Sequence, residues 1–464
     1  MGLDAVLLSR LQFAFTIAWH IIFPSFTIGL ASYLAVLEGI WLKTGREAFR
    51  TLYLFWVKVF AISFGMGVVS GVVMSYEFGA NWSVFSVKTG PVLGPLLAFE
   101  VLTAFFLEAS FLGVMLFGWK KVGRGLHFTA TCIVAAGTLI SAFWIISANS
   151  WMQYPAGYAI APDGRFVSRD WLQVIFSPTF PLRYVHMVMA AYLTTALVVG
   201  AGSAWQILKR PGTAEPKIAL RMAIAMFAVV APLQLLVGDA AGKLVADLQP
   251  SKLAAIEAFW TTRTHQPFHV AAWPDRKTQK NDWEIAVPEI GSWITKGHAD
   301  ASVTGLNAFA PKDQPPVAVV FWAFRIMVGL GVLMIALGLS GVVLWLTGGP
   351  ERSRLYLRAC VAMGPAGFVS VIAGWTTAEV GRQPYTVFGA LRTIDSASPV
   401  KAGAVSASLL AFLVIYAIVF SVGALYILRL IDQGPGAGAA ETPPSTPRAP
   451  GSPLAAAPEQ EALP

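Results

Sequence analysis

The stretch Gly-Trp-Thr-Thr-Ala-Glu-Val-Gly-Arg-Gln-Pro, residues Gly374 to Pro384, places a carboxylate and a guanidinium where an apolar segment ends. Holding ionised groups near lipid is costly, so such groups seldom lie there without a partner or a task. We therefore interpret Glu379 as a site residue. The alternative is a solvated carboxylate at a helix end, with Arg382 as an anchor whose charge extends to the membrane interface.

The composition indicates the class of protein around this stretch. Hydrophobic residues make up 56% of the 464 residues and charged residues only 12%, and the mean hydropathy is +0.63. This is too apolar for an ordinary soluble protein, so we predict an all-α polytopic membrane protein. The formal charge of +8 does not indicate a nucleic-acid partner, because most Lys and Arg lie in short loops between apolar segments. Cys132 and Cys360 lie within apolar segments, which excludes a disulfide framework.

Nine segments are long enough to cross a bilayer, which takes about 20 apolar residues. They cover residues 16–42, 52–78, 95–118, 126–148, 184–207, 218–238, 317–346, 357–379 and 404–430. Basic residues follow the first, third, fifth and seventh segments. The positive-inside rule places these connections in the cytoplasm, so we expect the N-terminus outside and the C-terminus in the cytoplasm.

These segments divide the chain into four regions. Residues 1–238 contain the first six helices, 239–316 form a long outer loop, 317–432 contain the last three helices, and 433–464 form a tail. Four tryptophans in the loop favour a folded segment on the outer membrane surface, and so long a connection is usually functional or disordered. The tail is rich in Gly, Ala, Pro and Glu, which predicts a disordered cytoplasmic segment.

Histidine and methionine side chains near the outer helix ends suggest metal ligands. The predicted topology places His20 and His186 at a similar depth, at the outer ends of the first and fifth helices. A lone histidine at that depth would more often be a hydrogen-bonded residue of the membrane interface. The seventh helix places Arg325 and Met327 two to three turns in, since each residue rises ~1.5 Å. A histidine and a methionine form an axial pair for a low-spin b-type haem. Core packing would suffice for Met327 alone, whereas Arg325 requires a buried anion or an aqueous route.

Two carboxylates in the third segment are candidates for a proton path. Glu100 and Glu108 are eight residues apart, hence ~12 Å along a regular helix and about 80° around it. They can belong to one polar path that holds and releases protons; structural hydrogen bonding and an ion site are the alternatives. His127 starts the fourth helix and is most simply a helix-end residue.

The outer loop contains a short amphipathic segment, Pro250 to Trp260, that carries Lys252 and Glu257. The pair is either a solvated charged face or a head-group site for a lipid-soluble quinol. In a quinol site Glu257 would accept the proton released on oxidation, and Lys252 would polarise an oxygen.

The chain closely resembles subunit I of the bacterial cytochrome bd-type quinol oxidases, including the cyanide-insensitive branch, over about residues 1–432. The resemblance is carried by Ser-Arg-Leu-Gln-Phe-Ala-Phe from Ser9, Tyr-Glu-Phe-Gly-Ala-Asn-Trp-Ser from Tyr76, Phe-Arg-Ile-Met from Phe324 and the stretch that begins at Gly374. It implies a terminal oxidase of the bacterial inner membrane. Quinol would be oxidised on the outer side and O2 reduced to water with cytoplasmic protons, so that turnover generates a proton motive force.

The resemblance also implies roles for the candidate ligands. His186 and Met327 would be the axial ligands of haem b558. His20 and Glu379 would hold the two high-spin haems, b595 and d, with a further b-type haem in place of d in some relatives. A second large membrane subunit, and often a very small single-span subunit, would complete the oxidase.

The resemblance implies that Lys252 and Glu257 bind quinol. It implies that Glu100 and Glu108 deliver protons, and that Arg325 and Arg382 stabilise haem charge or tune the haem potential. Compared with the family pattern, the outer loop looks like the short form of the quinol loop, and Tyr385 stands where many relatives have tryptophan.

Two other functions are compatible with parts of the sequence. One is a quinone-linked membrane cytochrome b that carries electrons without reducing O2, which a low-spin site alone would suit. The other is a secondary transporter that uses Glu100 and Glu108 for proton coupling. The transporter hypothesis gives no reason for four side chains to share a depth, namely those of His20, His186, Met327 and Glu379.

Overall fold

The computed structural model describes residues 4–435. Helices dominate this part of the chain, because a backbone in lipid must satisfy its hydrogen bonds internally. The helices are α1 Ala5–Thr44, α2 Glu47–Ala80, α3 Ser83–Glu100, α4 Phe106–Phe117, α5 Arg124–Gln153, α6 Trp171–Ile175, α7 Phe180–Lys209, α8 Ala214–Leu248, α9 Pro250–Glu257, α10 Ile290–Lys296, α11 Val317–Thr347, α12 Arg354–Met363, α13 Ala366–Val380 and α14 Ala402–Gln433.

In the described part of the chain, three small antiparallel hairpins lie between the helices. Their strands are β1 Tyr158–Ile160 with β2 Phe166–Ser168, β3 Phe268–Asp275 with β4 Lys280–Val287, and β5 Tyr385–Val387 with β6 Leu391–Arg392. The longest hairpin, β3–β4, and helix α10 belong to the predicted outer loop, 239–316. Of the predicted tail, 433–464, only the first three residues lie within the described part of the chain.

The predicted all-α architecture with nine membrane-spanning helices is confirmed for residues 4–435. The spans are longer than the apolar segments indicate: the first was expected over 16–42 and runs from Ala5 to Thr44. Its start is fixed by Asp4, whose side chain accepts a hydrogen bond from the backbone N–H of Val6. Helix α1 packs against α2, α5, α7, α13 and α14, so it occupies the centre of the bundle.

The third span is not a regular helix. A π-helical turn, Val101–Phe105, separates α3 from α4. The angle of about 80° expected between Glu100 and Glu108 assumed regular α-helical geometry and is wrong, because these residues flank the π turn. Such turns are frequent at functional sites.

The eighth span is also interrupted. It was expected as one segment over 357–379, but α12 ends at Met363 and α13 begins at Ala366. Pro365 lies at the interruption, where its missing N–H removes a donor from the helical ladder. Gly367 packs so closely on α7 that a Cβ there would lie 2.7 Å from the Cα of Thr194. The short helix α13 therefore carries the Gly374 stretch against α7.

Candidate functional site

His20 is oriented by a serine of the neighbouring helix α2. Its Nδ1 lies 2.9 Å from Ser70 Oγ, and the Ser70 hydroxyl donates to the carbonyl of Gly67 at 2.9 Å. Because that proton is committed, Ser70 Oγ accepts from the Nδ1–H of His20. This fixes the tautomer and makes Nε2 the ring nitrogen suited to a metal, as in most metal-binding histidines.

The rings of His20 and His186 are packed in the same way. A Cβ built on Gly71 of α2 would lie 3.3 Å from Cε1 of His20, and one on Gly238 of α8 would lie 3.3 Å from Cε1 of His186. The Nδ1 of His186 is buried and has no hydrogen-bond partner within residues 4–435. A buried ring nitrogen without a partner requires an explanation, and a bound group is one.

Met327 lies against Gly374, the first residue of the stretch Gly374 to Pro384. Its Sδ would be 2.7 Å from a Cβ on Gly374 of α13, so only glycine leaves room for the thioether. Helix α11, which carries Met327, packs against α8 and α13, and α13 packs against α7, which carries His186. The structure thus brings the two predicted low-spin ligands into one four-helix part of the bundle.

Glu379 is held by three hydrogen-bond donors at the end of α13. Its Oε1 accepts from Asn149 Nδ2 at 3.0 Å and from Gln153 Nε2 at 3.1 Å, and its Oε2 accepts from Arg382. The Arg382 side chain is buried, whereas 22% of the Glu379 side chain is exposed. Three donors, one of them charged, stabilise the ionised carboxylate.

Lys252 joins this cluster rather than facing solvent. It is only 3% exposed, and its Nζ donates to Gln153 Oε1 and to Gln249 Oε1 at 2.7 Å. Gly381, just beyond the end of α13, leaves room for the aliphatic part of the Lys252 side chain, because a Cβ there would lie 2.9 Å from Cγ of Lys252. The amide of Gln153 therefore links Lys252 to Glu379.

The charge state of Lys252 follows from these surroundings. Burial lowers its pKa well below the usual value, and the nearby guanidinium groups of Arg183 and Arg382 lower it further, while Glu379 opposes them. Arg183 is itself buried in the cluster, where it donates to Asn149 Oδ1 and to Ser150 Oγ. The Lys252 amine is thus far easier to deprotonate than that of an exposed lysine.

Glu257 belongs to a second cluster. Arg325 Nη2 donates to Glu257 Oε2 at 2.7 Å, and the exposed fractions of the two side chains are only 9% and 6%. Arg325 Nε also donates to the carbonyl of His269, 2.8 Å away, and the His269 ring lies 2.7 Å from the carbonyl of Glu257. The buried anion that the sequence required for Arg325 is Glu257. The structure does not place Lys252 and Glu257 in one polar network, although both lie on α9.

Glu100 and Glu108 both face α5. Glu100 Oε1 accepts from Ser141 Oγ at 2.8 Å, and a Cβ on Gly137 would lie 2.8 Å from Cγ of Glu108. Ser141 and Gly137 are one turn apart on α5, so the two carboxylates follow the same helix despite the π turn. Glu108 is buried, and its Oε1 has no hydrogen-bond partner in the described part of the chain.

Sequence reasoning missed the buried partner of His127. This residue was interpreted as a simple helix-end residue, but its Nδ1 lies 2.6 Å from Glu38 Oε1, and both side chains are almost fully buried. Thr131 donates to the other oxygen of Glu38 at 2.6 Å. A carboxylate inside the first apolar segment was the available signal. Gln153, Asn149 and Arg183 gave no such signal, because their roles depend on long-range contacts.

The fold and these side chains define the class of protein. It is a mostly helical, polytopic membrane protein whose interior contains histidine, methionine and ionised side chains. Residues 8–435 match the family model described as cytochrome bd terminal oxidase subunit I. The chain belongs to this family.

Individual relatives agree with the family match. The chain is 34% identical over 449 residues to the cytochrome bd ubiquinol oxidase subunit 1 of Bacillus subtilis, which covers 93% of this chain and 94% of the relative. It is 32% identical over 510 residues to the cytochrome bd-II ubiquinol oxidase subunit 1 of Escherichia coli, covering 95% and 99%. Among solved structures, the bd oxidase from Geobacillus thermodenitrificans matches with a TM-score of 0.86 and 28% identity, over 94% of this chain and 100% of that chain.

Family membership establishes the general activity. The chain is the catalytic subunit of a quinol:oxygen oxidoreductase, and the nine apolar helices within residues 4–435 make it a multi-pass protein of the bacterial inner membrane. The family implies haem cofactors and a partner, subunit II.

Proposed function

We propose that this subunit holds three haems on four side chains. His186 and Met327 bind the low-spin haem b558, and His20 and Glu379 bind the two high-spin haems, b595 and d or a further b-type haem. The set suits iron, because imidazole and thioether are ligands of low-spin haem, and the tautomer of His20 directs Nε2 away from Ser70. When bound, the haems transfer electrons and reduce O2.

Quinol binds beside α9, the helix that carries Lys252 and Glu257 in the predicted outer loop 239–316. The observation that carries this part is the burial of both ionisable side chains on an eight-residue helix, because a buried charge is retained only with a partner or a task. The readily deprotonated amine of Lys252 accepts a hydrogen bond from a quinol hydroxyl. Glu257 accepts a proton, and its ion pair with Arg325 holds the carboxylate in place.

Protons for O2 reduction enter from the cytoplasm along α5 through Glu108 and Glu100. Their contacts with Gly137 and Ser141, one turn apart, support a path along one helix. The basic connections after alternate spans support a cytoplasmic C-terminus, and hence quinol oxidation on the outer side. Protons taken up inside and released outside make turnover electrogenic, without a separate pump. A very small single-span subunit joins subunit II as a further partner.

A difference spectrum of the purified oxidase tests the haem assignment. Reduced-minus-oxidised spectra, recorded with and without carbon monoxide, should contain a low-spin component that ignores the gas and a high-spin component that binds it. Met327→Leu should alter the low-spin component selectively, because leucine offers no sulfur to iron. Met334→Leu is the matched control, since Met334 lies two turns further along α11 in the core.

Two results would contradict the proposal. An unchanged low-spin spectrum and potential in Met327→Leu would remove Met327 as a ligand. Haem without any component sensitive to carbon monoxide would instead indicate an electron carrier that does not reduce O2.

Replacing Gly374 by alanine should also disturb the low-spin site, although the substitution adds only one methyl group. That methyl would lie 2.7 Å from Sδ of Met327, so the methionine must move, at a cost of about 1–3 kcal/mol. We expect a shifted low-spin band and a lower melting temperature. Gly331→Ala on α11 is the control, because a Cβ at Gly331 meets no atom within 4 Å. Equal spectra for the two variants would show that the glycine is not needed for the position of the sulfur.

A further inference from the structure

Glu77 is a buried carboxylate that the proposed reaction does not use. Glu77 is 0% exposed, and neither its Oε1 nor its Oε2 has a hydrogen-bond partner within residues 4–435. An ionised carboxylate is costly to bury unless it is paired, and a buried polar group without a partner in a native structure calls for a specific reason. Glu77 is therefore poised to hold a proton rather than a permanent charge.

Within residues 4–435, the surroundings of Glu77 offer polar atoms but no cation. Thr16 and Gln12 of α1 are its polar neighbours, and Tyr416 of α14 is the titratable side chain that faces it. No charged side chain in the described part of the chain acts on Glu77. The Thr16 hydroxyl is 3.1 Å from the carbonyls of Gln12 and Phe13, and the buried hydroxyl of Tyr416 likewise lacks a partner among residues 4–435. An ionised Glu77 therefore has no counter-ion among the residues that the structure describes.

Glu77 and the predicted haem ligand His20 lie along the same seam between α1 and α2. Glu77 is seven residues beyond Ser70, the partner of His20, hence ~10 Å along α2 and on almost the same face. On α1, Gln12, Thr16 and His20 follow at intervals of four residues, which also places them on one stripe. The carboxylate is thus about two turns from the His20 site, toward the end of the bundle where α1 begins.

We propose that Glu77 takes up a proton when an electron arrives at the haem on His20, and releases it when the electron leaves. The inference rests on the proposed function, in which His20 holds a haem. The electron comes from quinol, and the proton comes from water at the end of the bundle where α1 begins and returns there. Two unit charges ~10 Å apart at an effective dielectric constant of about 20 interact strongly enough to change a proton affinity roughly tenfold. The missing counter-ion makes Glu77 the group on this seam that responds.

The pH dependence of the haem potential tests the proposal in the intact oxidase. By linkage, a tenfold change in the proton affinity of Glu77 on haem reduction shifts the haem potential by about 59 mV in all between low and high pH. We expect the potential of the haem on His20 to fall as pH rises in the native oxidase, and this slope to be lost or strongly reduced in Glu77→Gln. The redox infrared difference spectrum should lose a carboxyl C=O band in the same variant. Ser75→Ala, an exposed position on the same helix, should leave both unchanged.

The outcomes separate this inference from the haem assignment. If Glu77→Gln retains the haem, the pH slope and the carboxyl band, the inference is overturned while the haem assignment stands. If His20→Ala loses no haem, the assignment fails instead. Should Glu77→Gln not assemble, Glu77→Asp replaces it: a carboxyl band at a shifted frequency supports the inference, and an unchanged band overturns it.

Discussion

Replacing Glu379 by alanine should lower the free energy of unfolding by about 3–5 kcal/mol, because it leaves a buried cation without its partner. Arg382 would lose the carboxylate that it contacts, and Arg183 and Lys252 lie in the same cluster. The melting temperature of the purified oxidase, measured at one scan rate, reports the loss. Haem content measured on the same sample reports the ligand role.

A double variant separates these two roles of Glu379. Glu379→Ala combined with Arg382→Ala removes both charges, so part of the lost stability should return, while one of the two high-spin haems should remain absent. Asp163→Ala is the control for a carboxylate that pairs with an exposed partner, Arg165, and it should leave the melting temperature nearly unchanged. Normal high-spin haem in the double variant would show that Glu379 serves charge balance alone.

Replacing Glu257 by alanine should slow quinol oxidation by about 10²–10⁴-fold, the usual contribution of a general base. The haem content should stay intact, because Glu257 contacts Arg325 rather than a predicted haem ligand. Stopped-flow reduction of the haems by quinol measures the effect. Stability should fall as well, since Arg325 would remain buried without an anion.

The matched control for Glu257 lies in the same loop. Asp282 is an exposed carboxylate on β4, so Asp282→Ala should oxidise quinol at the native rate. Native kinetics in Glu257→Ala would remove this residue from the quinol site. A slow rate in both variants would instead point to a general disturbance of the loop.

Much of the fold could be read from the sequence, because the signals are local. Apolar length alone predicts the nine spans that the structure confirms in residues 4–435. The cost of burying a guanidinium likewise predicted an anion for Arg325, and Glu257 provides it. Such predictions succeed since each depends on one segment and its solvent.

The rest depends on contacts between segments that are distant in the chain. Gln153 carries no charge, and its link between Glu379 and Lys252 exists only after three separate elements have packed together. Glu38 and His127 meet across 89 residues. The π turn between Glu100 and Glu108 is a departure of a few residues from an otherwise continuous helical pattern, which periodicity cannot resolve.

The single amide of Gln153 gives the hydrogen-bonded link between Lys252 and Glu379 a fixed direction. Its NH2 group donates to Glu379 and its oxygen accepts from Lys252. A protonated Lys252 has no lone pair, so it holds the Gln153 amide in this orientation. A neutral amine has a lone pair and can also accept a hydrogen bond from the NH2 group of a rotated amide. Proton occupancy at Lys252 is therefore transmitted to Glu379 as a donor retained or withdrawn. By thermodynamic reciprocity, if protonation of Lys252 changes the affinity of Glu379 for a ligand by some factor, that ligand changes the proton affinity of Lys252 by the same factor.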